Sequence, residues 1–334
     1  MAGKYNPSKC GISDYIFLLS DKLYKLQHEC NIFSIDKNWG EEFKNLNTQE
    51  LTSIQFTPYI YSTSRLNGKN LSSLAEFIKT NKVHINFHEI WIGAYPNASL
   101  KEKFIGWHQQ KEILKFLELV NPCHVTCSNA AAMDRLTQAG IQAKYLYLFG
   151  NVPYDPSVDI SVSNNLRIAL FGTPYEKFPY NHLAERLNEI SAFLNKPVEL
   201  RIIGRQRVNG GLDQIRNTSK QFNFSFSETG ELSPQLISKE LQSCNLGLCT
   251  TPYDILGKSG ATAAMLEHGL PVLAFDDGDT PKDKLFVFEQ FSDQVYLLDD
   301  VNFLERLIAF MQEKRKPFFD GVAHTANKML ELVS

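Results

Sequence analysis

The chain has 334 residues, of which 43% are hydrophobic and 21% charged, and its formal net charge is −3. At about 150 residues per domain this length predicts two domains, with one large domain as the alternative. The composition excludes a disordered chain, a collagen and a coiled coil, and the charge excludes a global basic field for nucleic acid. Without an apolar run of about 18 residues or a signal-peptide core, we expect a cytoplasmic protein.

The first part of the chain alternates short apolar runs with amphipathic stretches. The predicted helices are 15–27, 71–80, 100–119 and 129–139. The predicted strands are 32–35, 53–59, 83–87, 124–127 and 143–148. Continuous apolar strands that alternate with helices indicate parallel strands covered on both faces.

A segment rich in Pro, Ser and Asn at 151–165 interrupts this rhythm and reads as a linker. The pattern then restarts, with predicted strands at 166–171, 198–203, 222–226, 246–249 and 271–275. Predicted helices follow at 182–194, 234–243, 261–268, 302–312 and 316–332. The predicted fold class is therefore α/β, with two doubly wound, Rossmann-like domains over 1–153 and 154–334. The last helix is a candidate to pack back on the first domain, and the cleft between the domains is the expected ligand site.

The start of the chain departs from this pattern. A doubly wound domain begins with a strand, whereas this chain opens on the polar loop 6–14 (NPSKCGISD). That loop is typical of the one after a first strand, where Gly11 eases close backbone approach and Ser13 or Asp14 caps the next helix. We interpret the first strand as cut off from this chain, because a domain built without that central strand would expose two sheet edges. A domain that tolerates the absence is the alternative.

The six cysteines are too few for a disulfide scaffold, and we interpret them as reduced thiols. Cys123, His124 and Cys127 have the spacing of a metal-binding pair. They lie in an apolar run with no second pair nearby, so a buried strand is the preferred interpretation.

Six segments, taken in order, resemble motifs of the retaining GT-B glycosyltransferases, close to glycosyltransferase family 4. They are 11–15 (GISDY), 86–91 (NFHEIW), 170–173 (LFGT), 202–205 (IIGR), 229–234 (TGELSP) and 257–261 (GKSGA), the last leading into 267–272 (EHGLPV). The likeness spans nearly the whole chain, and the order of the motifs is more specific than any one of them. It implies a first domain that holds the acceptor, with Gly11, Ser13 and Asp14 in its loop, and a second domain that holds a nucleotide-diphosphate sugar.

The candidate donor-binding residues lie at strand ends and at one helix start in the second half. Lys258, Ser259 and Gly260 combine a positive charge with backbone N–H groups, which suits a diphosphate whose charge grows as the sugar leaves. A plain helix cap by Ser259, with Lys258 in solvent, is the alternative. The other candidates are Gly172, Thr173, Lys177, Arg205, Gly230 and Glu231. Solvated loop charges at Lys177 and Arg205, and a plain turn at 229–231, are the alternatives for these.

Two patterns beside Lys258 bear on the donor. Residues 252–259 (PYDILGKS) come within one residue of a P-loop, but Pro252 has no N–H to give in place of the first glycine, so an NTPase loop is not favoured. Aligned through 269–272, the two glutamates of the family's Glu-x7-Glu motif fall at Leu256 and Ala264. Both carboxylates are absent and Glu267 lies on another helix face, so donor binding must differ from the family pattern.

His88 and Glu89 follow an apolar strand of the first half, where polar side chains are expected to face the ligand. The resemblance implies that His88 contacts the transferred sugar near the reacting carbon, so both are catalytic candidates; a satisfied core histidine is the alternative. Ile92 rules out a zinc-protease motif. The D-x-D within 276–279 falls in a loop by the family likeness, so no metal is assigned. Trp107, Gln109 and Gln110 could line an acceptor pocket, but helix packing is the preferred interpretation.

The sequence thus predicts a metal-independent retaining glycosyltransferase that moves a sugar from a nucleotide-diphosphate sugar to a hydroxyl, in polysaccharide or glycoconjugate synthesis. The predicted partners are the nucleotide sugar and a carbohydrate or lipid-linked acceptor, with no cofactor and no nucleic acid. Residues 1–150 have a charge balance of +3 and the remainder −6, which admits contact with the inner face of a membrane, although a solvated surface is the simpler interpretation. A nucleotide-sugar epimerase and a non-catalytic GT-B-like binding partner are the alternatives.

Overall fold

The structure, a computed structural model, describes residues 5–7, 10–34, 51–58, 69–94, 98–160, 163–206, 209–276, 289–313 and 318–333. The chain divides into a first unit, Met1–Tyr147 with Val322–Ser334, and a second unit, Leu148–Gly321. The contacts thus divide the chain between Tyr147 and Leu148, where the sequence analysis places the boundary between 153 and 154.

The helices of the described residues are α1 (Gly11–Lys25), α2 (Lys69–Ile78), α3 (Leu100–Val120), α4 (Ala130–Gln138), α5 (Tyr180–Leu194), α6 (Gly210–Gln221), α7 (Pro234–Ser243), α8 (Gly260–Glu267), α9 (Phe303–Gln312) and α10 (Gly321–Val333). The strands are β1 (Leu51–Phe56), β2 (Lys82–Phe87), β3 (His124–Cys127), β4 (Lys144–Tyr145), β5 (Leu166–Phe171), β6 (Val198–Ile203), β7 (Ser225–Glu228), β8 (Leu246–Leu248), β9 (Val272–Ala274) and β10 (Val295–Leu297). Short 3₁₀ helices cover Tyr253–Lys258 and Glu289–Phe291.

The first unit contains a parallel sheet in the order β1-β2-β3-β4. Its two faces differ in chemistry, because side chains alternate along each strand. One face carries apolar side chains such as Ile54, Ile85 and Val125, which join the core formed with helices α2 to α4. The other face is polar at the middle of the sheet, where Gln55, His84, Asn86 and Thr126 are buried. A buried polar layer is stable only if its groups bond to one another.

The second unit contains a six-stranded parallel sheet in the order β10-β9-β8-β5-β6-β7. With β5 counted as the first strand, this is the 3-2-1-4-5-6 order of the doubly wound dinucleotide-binding fold. The strand order reverses between β5 and β8, which pair through Ile168 and Leu246. Ligands of such sheets bind outside the carboxyl ends of the strands at this reversal. The α/β class with parallel sheets that the sequence predicts is thereby confirmed.

The predicted elements agree with the structure where apolar periodicity is strong. The predicted strands 124–127, 166–171 and 198–203 have the observed bounds. The predicted strand 143–148 is reduced to Lys144–Tyr145, and within 32–35 the described residues hold one bridge residue, Ser34. Helix α6 and strand β10 were not predicted.

The start of α1 differs from the sequence prediction. The helix begins at Gly11, and Cys10 occupies the N-cap position without a side-chain cap bond. Ser13 lies buried inside the first turn, where its Oγ accepts a hydrogen bond from the N–H of Asn6 at 2.9 Å. The prediction that Ser13 or Asp14 caps this helix is therefore wrong, because the serine hydroxyl bonds to the preceding loop instead.

Gly150, in the segment that enters the second unit, packs directly on α8. A Cβ atom at Gly150 would lie 2.5 Å from the Cα atom of Ala264. The N–H of Gly150 also donates to Oε1 of the buried Glu267 at 2.9 Å. The position of α8 against this segment therefore depends on a close backbone approach and one buried carboxylate.

We expect Gly150→Ala to lower the free energy of unfolding by about 1–3 kcal/mol, because the added Cβ forces helix and segment apart. Gly260→Ala is the matched control on the same helix, since its Cβ would meet nothing closer than 3.8 Å. Gly260→Ala should leave the free energy of unfolding unchanged or raise it slightly. Urea denaturation of both variants measures the difference, and equal stabilities would contradict the close packing at Gly150.

Candidate functional site

The strand reversal of the second sheet brings together the loop after β5 and the start of α8. Gly172 follows β5 with a φ of +107°, and a Cβ atom there would lie 3.1 Å from the Cβ atom of Ala261. The carbonyl of the next residue, Thr173, accepts a hydrogen bond from Oγ1 of Thr250, just beyond β8, at 3.3 Å. The sequence-predicted residues Gly172, Thr173 and Gly260 therefore lie at one point of the sheet edge.

The first turn of α8 has unused hydrogen-bond donors. Oγ of Ser259 accepts the N–H of Thr262 at 3.2 Å, so Ser259 caps the helix. The N–H groups of Gly260 and Ala261 have no hydrogen-bond partner among the residues that the structure describes. These groups lie at the positive end of the helix dipole, where an anion is stabilised.

Three cations of the predicted donor site are exposed: Lys177, Arg205 and Lys258. None of them forms an ion pair within the described ranges. By contrast, Arg201 on β6 is bonded to Glu240 at 2.6 Å and to Glu199 at 2.8 Å. The cations at the carboxyl edge of the sheet thus remain available to an anionic ligand.

The ends of β6 and β7 form a second group of candidate residues. Gly204 and Gly230 make an isolated antiparallel bridge, and both have positive φ angles, of +84° and +69°. The N–H of Gly204 donates to Oγ1 of Thr229 at 3.0 Å. Arg205 and Glu231, the residues that follow the two bridge glycines, are both exposed. Within the described residues, no hydrogen bond or ion pair joins this group to the residues around α8.

The positions of the missing Glu-x7-Glu carboxylates are both buried and apolar. Leu256 is buried in the 3₁₀ helix Tyr253–Lys258, and Ala264 is buried against Gly150. The nearby Glu267 is 2% exposed and accepts the N–H of Gly150. None of these three residues presents a carboxylate to a ligand.

In the first unit, His88 lies directly after β2 and is buried. Its backbone N–H donates to the carbonyl of Phe56 at 3.0 Å, and its ring forms a T-shaped contact with the ring of Tyr15 on α1, with 4.8 Å between the centroids. Nε2 of His88 lies 2.8 Å from Oε1 of Gln55. Because an amide oxygen only accepts, Nε2 carries the ring proton and Nδ1 keeps a lone pair. Among the described residues, Nδ1 has no hydrogen-bond partner.

Gln55 belongs to a closed ring of hydrogen bonds across β1, β2 and β3, which we call the polar ring. Its members are Ser53, Gln55, His84, Asn86 and Thr126. Each member donates one hydrogen bond to the next, at distances of 2.9–3.0 Å. Asn86 Nδ2 donates to Gln55 Oε1, Gln55 Nε2 donates to Ser53 Oγ, and Ser53 Oγ donates to His84 Nδ1. His84 Nε2 then donates to Thr126 Oγ1, and Thr126 Oγ1 donates back to Asn86 Oδ1. The polar ring fixes the orientation of the Gln55 amide, and this amide in turn fixes the orientation and the tautomer of the His88 imidazole.

Burial sets the charge of both histidines in this layer. It lowers the pKa of His88 to about 4, and burial together with the neighbouring His124 lowers the pKa of His84 to about 4. Both rings are therefore neutral near pH 7. Glu89 is exposed, unlike His88, so the two catalytic candidates lie in different environments.

The remaining sequence candidates of the first unit lie on helices α1 and α3. Gly11, Ser13 and Asp14 lie in the first turn of α1, directly before the Tyr15 that contacts His88. Gln109 is buried, and its Oε1 accepts the N–H of Ile92 at 2.8 Å, as the packing interpretation predicts. Trp107 is half-exposed on α3. Sequence reasoning missed the polar ring, although polar residues at alternate positions of β1 and β2 were its visible signal.

In the described part of the chain, no cluster of three or more His, Cys, Asp or Glu side chains is placed to hold a metal ion. Cys123 donates from Sγ to the carbonyl of Val83 at 3.0 Å, and Cys127 is buried in β3. Residues 277–279 of the D-x-D lie outside the described residues.

No protein-family model matches the chain, and no curated protein matches it. Solved structures do. Anabaena HepE, in complex with UDP and glucose, is 14% identical with a TM-score of 0.55, over 99% of this chain and 96% of that chain. Sucrose-phosphate synthase from Thermosynechococcus elongatus is 13% identical with a TM-score of 0.57, over 97% and 93%. Both are glycosyltransferases of the GT-B fold. The chain therefore has the α/β fold of the GT-B glycosyltransferases, which is what a likeness at this identity shows.

We expect the folded protein to lose stability as the pH falls from about 6.5 to about 4. In this window the unfolded chain binds protons at His84 and His88, and the folded chain does not until its lower pKa is reached. The contribution of each histidine is at most about 3 kcal/mol. Urea denaturation against pH should show a shallower loss for His88→Gln than for the parent. The exposed His28 provides the control variant His28→Gln, and equal slopes for both variants would contradict a buried neutral His88.

The polar ring also predicts the tautomer of His88. Near pH 7, nitrogen NMR of the protein with labelled histidine should show a neutral ring protonated at Nε2. Gln55→Leu removes the acceptor, so this variant should show a mixture of tautomers while retaining the fold as judged by circular dichroism. An Nδ1-protonated ring in the parent would refute the assignment.

Proposed function

We propose that the protein is a glycosyltransferase that takes its sugar from a nucleotide-diphosphate sugar bound to the second unit. The observation that carries the proposal is the set of unpaired donors at the carboxyl edge of the second sheet: the N–H groups of Gly260 and Ala261, with the exposed Arg205 and Lys258. The structural neighbour HepE is described in complex with UDP-glucose, at 14% identity and a TM-score of 0.55. Its donor supports the same ligand class here.

In the proposed complex the diphosphate lies at the start of α8. The N–H groups of Gly260 and Ala261 donate to its oxygens, and Lys258 with Arg205 balances its charge. Gly172 leaves room for a phosphate oxygen, because a side chain at this position would fill the approach to Ala261. When the bond to the sugar breaks, negative charge grows on the diphosphate, and these fixed dipoles stabilise it more than they stabilise the bound donor.

In the first unit we assign His88 to the acceptor side of the reaction. A neutral ring does not repel the positive charge that develops on the reacting carbon, whereas a protonated histidine would. With Nε2 held by Gln55, the Nδ1 lone pair is left to accept a hydrogen bond from a hydroxyl of the acceptor or of the transferred sugar. Gly11, Ser13 and Asp14, in the first turn beside Tyr15, are the proposed loop contacts of the acceptor.

Recognition of the donor hydroxyls must use groups other than the family carboxylates. Leu256 and Ala264 occupy those positions and are buried. We assign the binding of the donor hydroxyls to the loops that follow β6 and β7, where Gly230 and Glu231 are exposed. The cations and N–H groups of the second unit would neutralise the diphosphate without a metal ion. We accordingly propose metal-independent transfer with retention at the anomeric carbon, to a carbohydrate or lipid-linked acceptor in polysaccharide or glycoconjugate synthesis.

Donor binding is tested by thermal unfolding with UDP-glucose and with the corresponding ADP, GDP and dTDP sugars, each in the presence of EDTA. We expect at least one donor to raise the midpoint, because a ligand that binds only the folded chain stabilises it. Lys258→Ala and Arg205→Ala should each weaken the binding of that donor about tenfold, consistent with the loss of one charge-assisted hydrogen bond.

Lys239→Ala is the matched control, since Lys239 is exposed on α7 and is not one of the proposed donor-site residues. This variant should bind the donor as the parent does. If no nucleotide sugar shifts the midpoint, or if a shift survives both Lys258→Ala and Arg205→Ala, the donor site is refuted. Once a donor is identified, NMR of the product anomeric proton tests retention.

The burial of both Glu-x7-Glu positions favours one other function, a GT-B protein that binds a nucleotide sugar or a partner transferase without catalysis. A donor that binds while neither transfer nor hydrolysis occurs with any acceptor would favour this alternative. A nucleotide-sugar epimerase would instead convert the donor with no acceptor present, so product analysis without acceptor separates it from both.

A further inference from the structure

One face of helix α3 exposes large apolar side chains that the fold does not use. Leu100, Phe104 and Trp107 are 86%, 57% and 48% exposed. Their spacing of four and three residues places them on one side of the helix. The rings of Phe104 and Trp107 stack at 6.3 Å between centroids. Exposed apolar residues are commonly scattered, so three on two consecutive turns indicate an interaction surface.

Lysines surround these side chains. Lys101, Lys103, Lys111 and Lys115 are exposed on the same helix. Nζ of Lys111 lies 3.7 Å from the centre of the Trp107 ring. None of the four forms an ion pair with a carboxylate in the described part of the chain.

The glutamates of α3 do not cancel this charge at the apolar side chains. Glu102 is bonded to Ser99 in the capping box at the start of the helix. Glu112 is half-buried, and the exposed Glu118 lies in the last turn. The first turns of the helix therefore combine apolar rings with unpaired positive charge.

The opposite side of α3 is fixed, so this face cannot turn inward. A Cβ atom at Gly106 would lie 1.9 Å from the carbonyl oxygen of Ile92, which shows how closely the helix approaches that backbone. Gln109 accepts the N–H of Ile92, and Ile113 and Phe116 are buried in the core. The exposed rings are thus held outward by a packed and hydrogen-bonded helix.

The lysines distinguish this face from the other exposed aromatic pair of the first unit. Phe17 and Tyr24 are also exposed, on α1, but Asp21 lies between them and pairs with Lys25 at 2.6 Å. An apolar face bordered by unpaired lysines fits a surface of anionic headgroups over acyl chains. None of the helices in the described ranges has the length and hydropathy of a membrane span.

We propose that Leu100, Phe104 and Trp107, with Lys101, Lys103, Lys111 and Lys115, form a docking face for an anionic lipid membrane. The rings enter the interfacial region and the lysines meet the lipid phosphates. This inference rests on the proposed function only for its biological use, since a lipid-linked acceptor would lie at such a surface. Docking itself needs neither donor nor acceptor.

Cosedimentation of the full chain with vesicles tests the proposal. We expect binding to vesicles of phosphatidylglycerol and phosphatidylcholine, no binding to phosphatidylcholine alone, and weaker binding at high salt. The double variants Phe104→Ser/Trp107→Ser and Lys103→Glu/Lys111→Glu should each weaken binding about tenfold or more. Thermal stabilisation by the donor should be unchanged in both, which separates this proposal from the donor site.

The matched controls are Phe193→Ser/Leu236→Ser and Lys220→Glu/Lys239→Glu, all exposed residues of the second unit. They should bind anionic vesicles as the parent does. Absence of parent binding, or equal binding by the α3 variants and their controls, would overturn the proposal. A concentration-dependent dimer in analytical ultracentrifugation that Phe104→Ser/Trp107→Ser abolishes would also overturn it, in favour of a second copy of the chain.

Discussion

A polar group inside a protein needs a partner, whereas an exposed one can wait for a ligand, and the two units differ in this respect. In the first unit, the polar ring closes on itself, so the donors and acceptors that form it are satisfied within the sheet. At the carboxyl edge of the second unit's sheet, the N–H groups of Gly260 and Ala261 and the cations Arg205 and Lys258 have no partner among the described residues. A closed network organises the protein itself, whereas an open set of donors of one sign is available to an anion.

The polar ring also explains why a histidine can be buried without charge at the end of β2. His88 donates into the ring through Gln55, which holds the imidazole in one tautomer. Burial then lowers its pKa to about 4, because the charged form would lose hydration without gaining a carboxylate. A neutral ring with one directed lone pair is suited to orienting a hydroxyl, and not to electrostatic attraction of a phosphate. This division of roles agrees with the proposal that the diphosphate binds to the second unit.

The sequence predicted the parts of the fold that depend on apolar periodicity, and it failed where backbone geometry or long-range pairing decides. Helix α6 begins with Gly210 and Gly211, which weaken a helical pattern, yet a Cβ at Gly211 would lie 2.6 Å from the carbonyl oxygen of Pro174. The glycine is required by that contact, and Asn209 supplies the cap. Strand β10, at Val295–Leu297, is too short to show a recognisable apolar periodicity. Ser13 was assigned to a cap because its spacing allowed it, but its bond to Asn6 forms in three dimensions.

The candidate site follows the same rule. Glycines after predicted strands made Gly172 and Gly230 candidates, and both have positive φ angles in the structure, a conformation that favours glycine. The pairing of Ser53 with His84 and of Gln55 with Asn86 is harder to predict from sequence, since the register of β1 on β2 is set by the whole sheet.

The charge asymmetry of the chain gains a structural meaning from α3. A balance of +3 over residues 1–150 is small, and spread evenly it would have little effect at physiological salt. Four lysines on one helix, which form no ion pair among the described residues, concentrate positive charge around the exposed side chains of Leu100, Phe104 and Trp107. In the second unit, where the balance is negative, the free cations at the sheet edge are local exceptions. Net charge thus predicts neither site, because both depend on which charges the fold leaves without a partner.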